Sequence, residues 1–172
     1  MTDWPVARTR DEALVYLDLN PCECGSVETE WDSGVVSIGG ALVKCYSGVC
    51  EGCGSDREYL FSLPRREVMP SGWPTFGGPE PSQLLDAGEW LWLADFTAGN
   101  VPEDPESARR VLSMARAAVE EVLKFIPEGQ DDVPAEAFWS ARGREVREAE
   151  PPRFRRDRLL VVRDTYHELA DR

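Results

Sequence analysis

The chain has one histidine, His167, and only two lysines, Lys44 and Lys124, among its 19 basic residues. A single histidine excludes a multi-histidine metal site. A hydrolase triad would need nucleophile and acid partners that no motif supplies. His167 therefore reads as a surface or capping residue. The sequence also lacks GxSxG, a Walker loop, HExxH and GxGxxG, so no catalytic residue is nominated. No apolar run approaches the ~20 residues that span a bilayer. The opening Met1-Thr-Asp-Trp-Pro5 has neither the basic start nor the apolar stretch of a signal peptide. The expectation is a cytoplasmic protein without a membrane segment. Cysteine is missing from all 119 residues after Cys53.

What is present in excess is acid. The net charge is −13 over 172 residues, and 42% hydrophobic content is ordinary for a globular chain. The charge is uneven, because residues 141–172 carry nine Arg against seven acids. An acidic surface repels nucleic acid and anionic membrane. Arg142, Arg144, Arg147, Arg153, Arg155, Arg156 and Arg158 interleave with Glu145, Glu148, Glu150 and Asp157. Ion pairing along helices accounts for them better than a nucleic-acid site.

The five cysteines, Cys22, Cys24, Cys45, Cys50 and Cys53, fall within 32 residues. A thiol cluster in a cytosolic chain points to metal rather than disulfides. Cys22-Glu-Cys24-Gly25 and Cys50-Glu-Gly-Cys53-Gly54 are two short pairs, each followed by glycine. Glycine lets a knuckle turn tightly and aim its amides at sulfur. The 25 residues between the pairs suffice for a hairpin that brings them together. Cys22, Cys24, Cys50 and Cys53 are the expected ligands of a closed, structural Zn²⁺ site, with Zn–S near about 2.3 Å. The first pair is Cys-x-Cys where Cys-x-x-Cys is usual, which strains two ligands on one ion and makes Cys45 a candidate substitute. Reduced buried cysteines and a redox pair are the other readings.

Alternation at Val27–Trp31, a turn at Asp32–Gly34, and strands at Val35–Ile38, Ala41–Tyr46 and Arg57–Leu63 suggest about four short antiparallel strands. Prolines and glycines crowd residues 64–81. Four helices are then expected: from Pro81-Ser82 to Gly99, from Pro105 to Ile126, from near Pro134 through Phe138 and Trp139 to about Glu148, and from Pro151-Pro152 onward. The fold class is thus α+β: a small zinc-ribbon-like sheet followed by a bundle of about four helices. The expected division is a β module over 1–63, a connection over 64–81 and a helical part over 82–172. Trp73 and Phe76, in the connection, are candidate partner contacts.

Pro21-Cys-Glu-Cys-Gly25, the run Cys50-Glu-Gly-Cys-Gly-Ser-Asp-Arg-Glu-Tyr-Leu-Phe61, and Pro81-Ser-Gln-Leu-Leu-Asp-Ala-Gly-Glu-Trp90-Leu-Trp92 carry a resemblance. The chain resembles small uncharacterised actinobacterial proteins with an N-terminal zinc ribbon and a helical C-terminal part. That resemblance implies the fold and a bacterial origin, and no activity.

The functional expectation is a zinc-stabilised acidic module that binds a protein. Its sharpest form is an immunity- or antitoxin-type inhibitor of a basic bacterial toxin. One alternative is an enzyme of unrecognised type, with a pocket between ribbon and helices lined by Trp90, Trp92 and Trp139. Another is a nucleic-acid or transcription accessory factor.

Overall fold

The computed structural model describes residues 3–172. The chain divides into two compact units, the first ending at Met69 and the second running Pro70–Arg172.

The first unit opens with a helix, α1 (Arg10–Leu19), that the sequence reading did not include. Its signal is Thr9-x-x-Glu12, the N-capping spacing. Thr9 Oγ1 accepts from the Glu12 amide at 3.2 Å. The Glu12 carboxylate is fully buried and accepts from the backbone amide and Nε of Arg8, both at 3.0 Å.

Three antiparallel strands follow in the order β1 (Asp32–Ile38), β2 (Ala41–Val49) and β3 (Asp56–Ser62). Gly39 and Gly40, both at positive φ, turn β1 into β2. Pairing of Val35 with Lys44 and of Lys44 with Phe61 puts these residues on the same face as Tyr46 and Tyr59. Tyr16 of α1 meets that face edge-on, at 6.0 Å from Tyr59 and 5.7 Å from Phe61 between ring centroids. The first core is therefore aromatic, with Tyr46 and Phe61 buried.

Two strand expectations are corrected. Residues 27–31 do not form a fourth strand and make only one bridge, Thr29 to Cys50. Asp32–Gly34 is not a turn, because its residues pair with Ser47, Tyr46 and Cys45 as the start of β1. Cross-strand pairing overrides the turn preference of Asp, Ser and Gly.

The second unit is helical: α2 (Ala87–Ala98), α3 (Pro105–Leu123), α4 (Ala141–Ala149) and α5 (Arg156–Ala170). The arrangement is α+β, a three-stranded antiparallel sheet followed by helices, as expected. α3 packs on α2 and α5, and α2 packs on α4. Residues 82–86, expected in the first helix, precede it, and Asp86 is its N-cap. Pro134 starts only a short 3₁₀ turn, Ala135–Ala137, and Phe138 and Trp139 leave the helix. Asp86 accounts for the break. Its carboxylate is fully buried and accepts from the amides of Glu89, Trp139 and Ser140 at 2.8, 2.9 and 2.7 Å. It also accepts the Ser140 hydroxyl at 2.8 Å. Ser140 in turn caps α4 by accepting from the Gly143 amide. One carboxylate thus anchors the starts of two helices.

Candidate metal centre

The first knuckle closes through local backbone bonds. The Cys22 amide donates to Ser26 O at 2.9 Å and the Gly25 amide to Cys22 O at 2.7 Å. The second repeats the device, with Cys50 N to Ser55 O at 2.9 Å and Gly54 N to Cys50 O at 2.8 Å. Gly25 and Gly54 have φ of 90° and 77°, a conformation that a Cβ opposes. The Glu51 amide donates to Glu28 O at 2.9 Å and ties the knuckles together.

Arg57 braces the arrangement from β3. It is 8% exposed, and its guanidinium donates to Asn20 O at 2.7 Å and Thr29 Oγ1 at 3.2 Å. It also lies over the rings of Trp31 and Tyr59, at 4.9 and 5.7 Å from their centroids. The end of α1, the first knuckle's return and the sheet meet at this one side chain. In the sequence Arg57 reads only as the start of a strand. The interleaving of Trp31, Arg57 and Tyr59 was the signal available, and it needed the register to become visible.

The sulfurs of Cys22, Cys24, Cys50 and Cys53 all lie within 4.8 Å of one another. Cys22 and Cys53 stand 3.7 Å apart, and Cys24 and Cys50 stand 3.6 Å apart. Four sulfurs at about 2.3 Å from a central ion form a tetrahedron with edges of ~3.8 Å. The two close spacings have that size, and the four side chains together could hold a metal ion. Comparison with family models, with curated proteins and with solved structures finds no match.

The close sulfur contacts cross between the knuckles, Cys22 to Cys53 and Cys24 to Cys50, so Cys-x-Cys needs no fifth residue. Cys45 is not one of the four. It sits on β2 between Gly34 and Leu60, and burial, reinforced by the charge of Glu58, pushes its thiol up. Its expected role as substitute ligand is set aside.

Cys24, Cys50 and Cys53 differ in acidity. The Ser55 hydroxyl and amide hold Cys53 down at about 6. The amides of Cys53 and Gly52 lower Cys50 against the opposing effect of burial. For Cys24 the Ser26 amide favours the thiolate, but hydrogen bonding to Cys50, burial and contacts with Cys53 and Cys22 together push it up to about 11. Metal binding needs thiolates, so a cation entering the cluster displaces the remaining thiol protons. Cys24 and Cys53 are exposed while Cys50 is 1% exposed, so the centre is rooted in the protein and open at its rim.

The remaining expected sites separate. Phe76 is 3% exposed and packs on Trp90 at 4.7 Å, which makes it a core residue with no face for a partner. Trp73 is 41% exposed, with the Arg110 guanidinium 3.9 Å from its ring centre. The three tryptophans do not line one pocket. Trp90 is fully buried, Trp139 is exposed beside Phe125, and Trp92 lines a cleft of about 400 Å³ with Asp95, Arg142 and Arg153. Arg153 and Arg158 pair between elements rather than along a helix as expected, with Arg153 in a two-pronged contact to Asp95 of α2 at 2.7 Å and Arg158 of α5 paired to Glu150. Arg142 lies over Trp92 and Arg147 over Phe138. His167 is on the exposed side of α5, 3.5 Å from Asp171 and 3.1 Å from Arg116.

Proposed function

We propose that the chain is a zinc-stabilised acidic module that acts by binding another protein, in its sharpest form as an immunity- or antitoxin-type inhibitor of a basic toxin. The observation that carries the metal part is the clustering of the four sulfurs within 4.8 Å of one another, with two spacings near the edge of a metal–thiolate tetrahedron. Zinc is the ion of choice for four thiolates in a tetrahedron, and a set with no position left for water is structural. A small sheet whose first strand is exposed throughout has little to bury, and the ion supplies the missing folding energy.

The binding part rests on charge. A net charge of −13 steers a basic partner to the surface and discriminates against acidic ones. Trp73 is the aromatic anchor proposed for that contact, exposed and held in place by Arg110. Arg142, Arg147, Arg153 and Arg158 are engaged with carboxylates or rings, which favours this reading over nucleic-acid binding. The test is affinity capture from the source organism's lysate with the metal-loaded chain, followed by elution with rising salt. The expected result is a basic protein released by salt, and lost when Trp73 is replaced by alanine. Recovery of nucleic acid, or of no basic protein, overturns the binding reading and leaves the metal site standing.

A further inference from the structure

The sheet has two edges, and they are treated differently. The β3 edge is covered at Ser62, whose amide donates to Pro5 O at 3.0 Å and whose hydroxyl donates to Trp4 O at 2.7 Å. Every residue of β1, the other edge, is exposed. Among the described residues, no backbone bond outside the β1–β2 ladder reaches it. An open edge is usually guarded by a charge or a proline. Here Ser33–Val43 contains neither, in a chain with 30% charged residues. The hairpin instead exposes apolar side chains on both faces: Val35 53%, Leu42 62%, Val36 39% and Ile38 39%.

The sequence of this edge is close to symmetric. About Val35 it reads Ser33-Gly34-Val35-Val36-Ser37. An antiparallel partner of the same sequence, centred on Val35, sets Ser33 against Ser37, Gly34 against Val36 and Val35 against its own copy. Each valine at 36 then faces a glycine, which leaves room for it, and each serine faces a serine. Two-fold pairing needs this self-complementarity. It also needs a place where two strongly acidic chains can approach, and the uncharged Ser33–Val43 segment is such a place.

We propose that β1 pairs antiparallel with β1 of a second copy of this chain, so that two three-stranded sheets become one of six strands. The interaction is strand addition, with main-chain bonds for affinity and the Val35 contact for register. A seven-residue strand buries less than the ~1,600 Å² of a standard interface, so the dimer is a weak, reversible one.

Sedimentation velocity of the metal-loaded chain from low to high micromolar concentration tests this. The expected result is a rise from monomer to dimer with concentration. Val35→Lys sets two ammonium groups against each other at the symmetry axis. It is expected to abolish the rise while keeping the metal content and the circular dichroism spectrum. A wild-type chain that stays monomeric throughout, or a V35K chain that dimerises like it, overturns the proposal. Hydrogen exchange on the wild type stands independently of whether V35K folds. The amides of Val35 and Ser37, which alternate with those bonded to β2 and so face the open edge, should exchange more slowly as concentration rises, and rates that ignore concentration contradict the pairing.

Discussion

Gly52 sits where the two cysteine knuckles touch. A Cβ there would lie 2.8 Å from the Ser26 Cβ and 3.3 Å from the Cys24 Sγ. Gly52→Ala should therefore spread the sulfurs and weaken metal binding by about tenfold or more, the equivalent of ~1.4 kcal/mol. Competition against a chromophoric chelator reads that change, and unchanged affinity would mean the knuckles do not meet as described. Cys45→Ser should leave the metal stoichiometry intact, whereas Cys50→Ser should abolish it. Asp86 governs the helical unit in the same residue-specific way. Asp86→Ala strands the Trp139 and Ser140 amides and removes the cap of α2. Losing these charge-assisted bonds costs about 3 kcal/mol, measurable by denaturant unfolding. Glu89, whose carboxylate accepts from the Asp86 amide, is raised from 4.5, by burial first and by the Asp86 charge as well. A carboxyl raised in the folded state holds its proton better there than when unfolded. Stability from this group is therefore full below 4.5 and declines as pH climbs through the folded value. Glu89→Gln should flatten that decline without loss of stability at neutral pH. A steeper decline would contradict the assignment.

At the scale of elements, the helices after residue 82 were legible because their ends carry strong signals. Asp104 before Pro105 caps α3, and Gly99 follows α2. The misplaced start of α4 has a long-range cause: Asp86, more than 50 residues away in sequence, takes the amides at 139 and 140. No local pattern reveals such an acceptor. α1 was missed although Thr9 and Glu12 hold capping positions, because apolar residues fall at Ala13, Leu14, Val15 and Leu17 without a clean stripe. Replacing Thr9 by alanine should cost about 1 kcal/mol, and thermal unfolding monitored by the Tyr16–Phe61 cluster would register it. For the candidate site, spacing and glycine placement were enough to nominate the four cysteines. The crossed sulfur contacts that make Cys-x-Cys workable, and the bracing by Arg57, depend on how the two knuckles fold back on each other. Phe76 was misread for a related reason. Proline and glycine around it indicate a loop, but a loop residue can still fill a core, as its contact with Trp90 shows.

At the scale of the whole molecule, two units with different cores imply two kinds of stability. The helical unit buries Leu85, Trp90, Leu91, Val119, Val122 and Leu159. The unit ending at Met69 has one small aromatic core and the sulfur cluster. Chelation should unfold the first and leave the helical circular dichroism of the second largely in place, giving two separate transitions on heating. A single transition that chelation shifts as a whole would contradict that independence. The acidic surface adds a prediction at the same scale: association with a basic partner should slow steeply as salt rises.

For the four sulfurs the most direct measurement is elemental analysis by mass spectrometry of chain purified without chelator. One zinc per chain is expected, lost in Cys50→Ser and kept in Cys45→Ser. A chain that is folded through residues 20–63 without any metal would contradict it and return the cysteines to the role of apolar filling.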